Sequence, residues 1–465
     1  MTIFRRFLPA FAFLLALAAP AAAQELPRRA TLGVSLAPVE GGGPGVLVRA
    51  VIPGQTAESL GVRAGDVILR TAGTAVSSVP DVVGFSARLT SGQRVELVVR
   101  RDGRERTLRG RARARPLESW QDATADYGAV PYLGGGRLRD ILVTPEGVAE
   151  PPVVFLIQGF SCASIEPADP NHPYRRLGTE LVRQGIAYYR VEKPGMGDSA
   201  GGPHCADIDF QTEMEAFRAA YRHLVEARGV DPDRIFMFGH SLGGYQAPLL
   251  AAERAPRGVA VFGTLVRSWG DYHRDLIELQ PFMLSGDDPV AASAHRDSDR
   301  ELLRRYYYLR QSPAAIAAES PEKAARLREV LAWDGGERTM GRHFKFMQDL
   351  AHVAAIPAWR DTRSNVLTMY GKSDFAALWD EDHRLIADMV NHYRPGTARF
   401  VDFDRTGHGM QMEGTMAEIR ARNIAQAPAE QAPFNDEVPR ALVQWIRESM
   451  GRPPVESPAA PTRGS

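Results

Sequence analysis

The sequence predicts an α/β protein: a mostly parallel sheet flanked by helices and carrying a helical insertion, preceded by a small β-rich domain. Residues 30–113 alternate short β-branched runs with Gly-rich turns, the pattern of a small sheet. From residue 127 onward, strand-like apolar runs alternate with helical stretches, which implies a parallel sheet covered on both faces. Between them, 265–364 holds no convincing strand but several helical runs, as an insertion would.

Arg5 and Arg6 precede an apolar run, Phe7 to Ala19, and then Ala21-Ala22-Ala23, so residues 1–23 are expected to be a signal peptide. An uncleaved anchor is the alternative, but the run is shorter than the roughly 20 residues that a span needs. The chain is therefore expected to be exported, periplasmic or secreted, without stable membrane insertion. Cys162 and Cys205 are its only cysteines, and an even count in an oxidising compartment predicts one disulfide. Two unpaired thiols are the alternative. Lys plus Arg and Asp plus Glu number 56 each, so no net field draws the molecule to nucleic acid or an anionic surface. The eight Arg residues from Arg100 to Arg115 read as a solvated strand pair and linker, and no aromatic platform accompanies them.

In the front domain, strands are expected at Thr31–Leu36, Gly45–Val51, Asp66–Thr71, Arg94–Arg100 and Arg104–Arg109, with a helix over Val79–Leu89. The wording LGVSL, VLVRAVIPGQTAESLGVRAGDVIL and SGQRVELVVRRDG resembles a PDZ domain of the bacterial protease-associated kind. That resemblance implies a peptide or protein C-terminus added at a sheet edge, with its carboxylate at the backbone of Leu32, Gly33 and Val34. A spacer that only packs on the second domain is the alternative. Residues 114–126 read as a linker.

The second domain, 127–450, opens with a hairpin around Gly134–Gly136. Strands are expected at Val153–Gln158, Ile186–Val191, Ile235–Phe238, Val259–Thr264, Val366–Tyr370 and Ala398–Phe403. Helices are expected in the insertion at Arg300–Leu309 and Pro321–Trp333, and the Pro/Ala/Ser-rich stretch 451–465 as a disordered tail.

Gly239-His240-Ser241-Leu242-Gly243-Gly244 lies between an apolar strand and the helical run Tyr245–Arg254, the setting of a nucleophile elbow. A serine hydroxyl is a weak nucleophile and needs an imidazole base, which in turn needs a carboxylate to fix its tautomer. Asp374 and His408 each follow a predicted strand, at the sheet end where an open α/β fold builds its site. The rival acids Asp380, Glu381 and Asp382 read as a helix start. The rival histidines His204, His273, His343, His352, His383 and His392 lack a comparable setting, and His240 reads as structural. One oxyanion donor is expected from the Leu242 amide, and a second from the loop Gln158-Gly159-Phe160-Ser161-Cys162, with Phe160 preferred and Ser161 next.

Elbow, acid and histidine in this order, the loop Pro194-Gly195-Met196-Gly197-Asp198-Ser199 and the insertion make 127–450 resemble the α/β-hydrolase family. The resemblance implies the α/β-hydrolase fold with the insertion as a cap, acyl transfer to Ser241, hydrolysis of the acyl-enzyme and no metal or organic cofactor. Gln158 stands where many relatives carry His. Carboxylic-ester hydrolysis is the preferred expectation, with a peptidase or amidase fed by the PDZ-like domain next, and an idle hydrolase fold serving as a binding module last. Trp269, Tyr272, Tyr306, Tyr307 and Trp333 are expected either to shape an apolar acyl pocket or to form the cap's own core.

Overall fold

The computed structural model describes residues 26–167, 169–427 and 432–451. The expected signal peptide, 1–23, and all but Gly451 of the expected tail lie outside the described residues. The front domain contains β1 (Val34–Pro38), β2 (Val46–Val51), α1 (Thr56–Leu60), β3 (Val67–Thr71), β4 (Thr74–Ala75), α2 (Val79–Ala87), β5 (Arg94–Arg101) and β6 (Arg104–Arg111). Its antiparallel sheet runs β1-β2-β3-β5-β6, with β4 paired to β3. Inward residues of the strands, among them Val46, Val48, Ile68, Leu97 and Val99, bury Val82 and Phe85 of α2. A Ser78–Asp81 capping box starts that helix. The strand expected from Thr31 begins only at Val34, because the Gly33 backbone turns through φ +75°.

The second domain begins with β7 (Ala123–Pro131), β8 (Arg137–Pro145), β9 (Val153–Ile157), α3 (Pro173–Arg183), β10 (Ala187–Val191), α4 (Phe210–Glu226), β11 (Ile235–His240), α5 (Leu242–Glu253) and β12 (Gly258–Phe262). The strand β7 starts inside the stretch expected to be a linker. It is the edge strand, and its first residues alternate between half-buried and exposed, which gives them the polar composition of a loop.

The inserted segment holds α6 (Trp269–Glu278), α7 (Gln280–Ser285), α8 (Pro289–Ser293), α9 (Arg296–Leu303), α10 (Pro313–Ala317), α11 (Pro321–Leu331), the small hairpin β13 (Arg338–Thr339) and β14 (Arg342–His343), and α12 (Phe344–Leu350). The helix expected over Arg300–Leu309 is divided, with α9 ending at Leu303 and a π-helical turn at Arg304–Tyr308 burying Tyr306 and Tyr307. The next helix, α13 (Ala355–Asp361), packs on α5 with Trp359 fully buried, so the end of 265–364 belongs to the layer flanking the sheet. The chain closes with β15 (Asn365–Gly371), α14 (Asp380–Tyr393), β16 (Ala398–Phe403), α15 (Met416–Ile424) and α16 (Glu437–Met450).

The large sheet is ordered β16-β15-β12-β11-β9-β10-β8-β7, parallel from β16 to β10 and antiparallel at β8 and β7. Because both faces are covered, its central strands are continuous apolar runs. Val153, Phe155 and Ile157 join one core with Met237 and Val261, whereas Val154 and Leu156 join the opposite core with Phe236, Phe238 and Phe262. This packing holds the carboxyl ends of β9, β10, β11, β15 and β16 in register along one rim.

Candidate active site

Between β11 and α5 the chain turns at Ser241 with φ 56° and ψ −125°, a conformation costing about 1–3 kcal/mol for a non-glycine residue. The turn is held by the Ser241 N–H donating to Phe262 O at 2.9 Å and the Gly244 N–H donating to Ser241 O at 2.9 Å. Close approach of helix and strand requires glycine here. A methyl on Gly243 would lie 1.9 Å from Ile157 O, and one on Gly239 would lie 2.5 Å from Gly243 O.

The structure brings Asp374 and His408 together. Asp374, buried after β15, receives the Ala376 and Ala377 N–H groups on Oδ1 at 2.8 Å each, and its oxygens lie 3.0 and 2.8 Å from His408 Nδ1. Gly263 directly follows the residue whose carbonyl binds Ser241. A methyl on it would stand 2.8 Å from Asp374 Oδ2 and 3.0 Å from His408 Nδ1, so Asp374 and His408 lie against the residue next to the backbone partner of Ser241. Burial disfavours the charged His408 ring, but the charge and hydrogen bond of Asp374 outweigh it and raise the His408 pKa.

Opposite the elbow, a methyl on Gly159 would lie 3.0 Å from Ser241 Cβ and 3.5 Å from Oγ. The Gly159 N–H donates to Tyr174 Oη at 3.2 Å, Tyr174 Oη lies 2.8 Å from His240 Nδ1, and His240 Nε2 lies 2.8 Å from His408 O. A carbonyl can only accept, so Nε2 carries the proton and Nδ1 accepts from the tyrosine. Burial, reinforced by the neighbouring His408, pushes the His240 pKa down to about 4. The ring is neutral and ties the Gly159 loop to the His408 backbone.

The peptide carbonyls of that loop face buried cations. Lys193 Nζ donates to Gly159 O at 2.6 Å and Arg342 Nη1 donates to Phe160 O at 2.8 Å. Glu213 of α4 pairs with both, 3.2 Å from Lys193 Nζ and 2.6 Å from Arg342 Nη2, and accepts from Gln246 Nε2 at 3.0 Å. Among the described residues, the Phe160 amide donates to no protein group. Leu242 is the first residue of α5, where an N–H has no intrahelical acceptor. Cys162 and Cys205 form a disulfide between this loop and the loop after β10.

The rival groups are engaged elsewhere. Asp382 pairs with Arg267 and Asp380 with Arg384, while Glu381 sits in the first turn of α14. His273 Nδ1 meets Tyr307 Oη at 2.6 Å, His352 Nε2 meets Tyr307 O at 3.0 Å, and His383 Nε2 accepts the Thr264 N–H at 3.0 Å. His204 and His343 cap short helices, and His392 packs on Tyr393. Of the aromatic residues, Tyr306, Tyr307 and Trp333 are buried within the insertion. Trp269 instead stacks on Phe160 with ring centroids 6.3 Å apart, and Tyr272 packs against Trp269.

In the front domain, Leu32 and Gly33 are buried and Val34 half-buried, at the start of the edge strand β1. The Leu32 N–H donates to Ser86 Oγ at 2.9 Å, so one of the amides expected to face a carboxylate already has an acceptor. The two ends of this domain grip the second. Arg28 and Arg115 bond the Glu166 carboxylate at 2.8 and 2.6 Å, and the Arg29 N–H donates to Asp198 Oδ1 at 2.8 Å. Thus both disulfide-linked loops are also fastened to the front domain. Tyr174, Lys193, Glu213, Arg342 and these interdomain arginines escaped the sequence reading. The signal available for Lys193 was its place immediately before the PGMGDS loop, whereas Arg342 lies 129 residues from its partner Glu213.

Among proteins of known type, the multifunctional-autoprocessing repeats-in-toxin proteins of Vibrio cholerae serotype O1 and Vibrio vulnificus are each 36% identical to this chain over 114 residues, 24% of its length. The matched part spans about 2% of those much longer proteins. Among solved structures, Est1E from Butyrivibrio proteoclasticus is 15% identical with a TM-score of 0.42, covering 70% of this chain and 99% of its own. The Pyrococcus furiosus esterase Pf2001 is 11% identical with a TM-score of 0.44, covering 72% of this chain and 96% of its own. The PDZ domain family matches residues 30–109, in agreement with the antiparallel front sheet. The alpha/beta hydrolase family matches residues 154–422, more than half of the chain and all of the rim that carries Ser241, Asp374 and His408. The chain belongs to the alpha/beta hydrolase family and carries a PDZ domain in front of its hydrolase domain.

Proposed function

We propose that this protein is an exported serine hydrolase that cleaves carboxylic esters, with Ser241 as nucleophile, His408 as general base and then acid, and Asp374 as the group that orients His408. The observation that carries this reading is the Asp374–His408 pair, 2.8 Å apart, beside a serine held in a strained turn at a strand's end. In the reaction, Ser241 Oγ attacks the acyl carbon as its proton passes to His408 Nε2. The tetrahedral oxyanion forms against the Phe160 and Leu242 amides, and its collapse expels the alcohol with a proton returned by His408. Water then repeats the sequence on the acyl-enzyme and releases the acid.

An ester with an apolar acyl part is supported by the surroundings of Phe160. This proposed oxyanion donor carries a half-buried ring stacked on Trp269 and edge-on to Phe346, 6.1 Å between centroids, so the packing around it is aromatic. Export is supported by the Cys162–Cys205 disulfide, a bond that persists in oxidising compartments. A second reading, a peptidase supplied by the PDZ domain, is favoured by the grip of Arg28 and Arg115 on Glu166, which couples the peptide-binding domain type to a loop beside Ser241. Matched p-nitrophenyl esters and peptide p-nitroanilides, assayed with Ser241→Ala and His408→Ala controls, test both. Ester turnover lost in both variants supports the first reading, and dominant anilide turnover would replace it with the second.

A further inference from the structure

We infer that Lys193 and Arg342 are positioning residues that aim and polarise the oxyanion donors of the Gly159–Ser161 loop, with Glu213 holding the two cations in place. The inference deepens the hydrolase reading and rests on it.

In a trans peptide unit the C=O and the N–H that follows it point in opposite directions. Fixing the carbonyl of Gly159 therefore fixes the N–H of Phe160, and fixing the carbonyl of Phe160 fixes the N–H of Ser161. Lys193 Nζ holds the first at 2.6 Å and Arg342 Nη1 holds the second at 2.8 Å. The cations grip the carbonyls and so leave the N–H groups turned away from them, in a loop that adjoins the serine: a methyl on Gly159 would lie 3.0 Å from Ser241 Cβ. Without those cations, both carbonyls would lose the donors that fix their peptide planes.

Charge adds to orientation. The side chains of Lys193, Glu213 and Arg342 are at most 2% exposed, so water screens them little. Burial lowers the Lys193 pKa to about 8, so below that pH two cations face one carboxylate and, with Gln246 supplying only a neutral amide, the cluster retains one positive charge. That surplus lies behind the peptide units expected to receive the developing negative charge, and a cation on a carbonyl polarises the attached N–H into a stronger donor. Three separate elements build the cluster: Lys193 follows β10, Glu213 is on α4 and Arg342 is on β14 of the insertion. The guanidinium of Arg342 also lies 5.5 Å from the Phe160 ring centroid and 3.7 Å from that of Phe346, its neighbour within the insertion, so one cation ties the insertion to the same loop.

The test uses the chain without its first 23 residues. Wild type, Lys193→Met, Arg342→Met and Arg342→Lys are compared for p-nitrophenyl butyrate kinetics and for inhibition by an aryl trifluoromethyl ketone, whose serine adduct carries an oxyanion. A purely structural role would lower folded fraction and substrate binding together. The inference predicts that each Met variant loses kcat by about 10- to 100-fold with KM nearly unchanged. It also predicts that each weakens the ketone by a similar factor, and that Arg342→Lys recovers part of both. If a Met variant does not fold, Lys193→Met/Glu213→Gln, which removes one charge of each sign, is read in the same way against Glu213→Gln. Variants that fold and match wild type in kcat and ketone affinity would overturn the inference alone. A wild type that neither turns over the ester nor binds the ketone would overturn the hydrolase reading beneath it.

Discussion

Both oxygens of Asp374 lie within hydrogen-bond distance of His408 Nδ1, at 3.0 and 2.8 Å, while the Ala376 and Ala377 N–H groups anchor the same carboxylate. The carboxylate is thus oriented before it orients the imidazole. In its proposed role as base His408 works only when neutral, and its raised pKa keeps it protonated to a higher pH than a free imidazole. The expected kcat/KM profile rises with pH through a midpoint above the ordinary histidine value of about 6.5. Removing the charge in Asp374→Asn should move that midpoint down and cut kcat by about ten-thousand-fold. The same raised pKa contributes folding stability that is fully present below the unfolded pKa and is lost as pH rises through the folded one. A pH series of initial rates, paired with denaturant melts, checks both signs.

Tyr174→Phe removes the hydroxyl that joins the Gly159 N–H to His240 Nδ1. Two buried polar groups lose their partner, so the variant should be less stable by about 2 kcal/mol. Its kcat should fall by roughly tenfold because the loop and the His408 backbone are no longer tied. Urea unfolding and ester kinetics on the same preparation measure the two effects. Full stability in the variant would mean that the relay bears no strain.

Gly263→Ala separates local geometry from general backbone strain. Gly263 sits at φ +60°, and its new methyl would press on Asp374 Oδ2 and His408 Nδ1 at 2.8 and 3.0 Å. Gly335, at φ +89°, has nothing within 4 Å of the position an added methyl would take and serves as the control. Both alanine variants should lose about 1–2 kcal/mol of stability. Only Gly263→Ala should lose most of its activity, by about a hundredfold or more. Equal activities would remove the steric argument for the pair.

Replacing Cys162 and Cys205 by serine releases the tie between the Gly159 loop and the loop after β10. The chain-entropy model assigns about 4 kcal/mol to closing a loop of this length. A lower denaturant midpoint is therefore expected, with a smaller loss of kcat, because Lys193 and Arg342 still hold the Gly159 and Phe160 carbonyls.

The elbow was legible in the sequence because its constraint is local: Gly239 and Gly243 must lie within two residues of Ser241 for helix and strand to pass. The parallel sheet was legible because burial on both faces leaves uninterrupted apolar runs such as Val153–Ile157. The start of β7 was not, since an edge strand with an exposed alternate face resembles a polar linker. Nor was the Lys193–Glu213–Arg342 cluster, whose members come from three distant segments and carry no shared spacing. A buried charge and a surface charge are the same letter until the fold places them.

The central claim is that Ser241 is the nucleophile activated by His408. It is tested most directly by treating the protein with a fluorophosphonate and mapping the adduct by peptide mass spectrometry. The account predicts one stoichiometric adduct on Ser241, absent in Ser241→Ala and formed at least a hundredfold more slowly in His408→Ala. An adduct elsewhere, or unchanged labelling in Ser241→Ala, would contradict it.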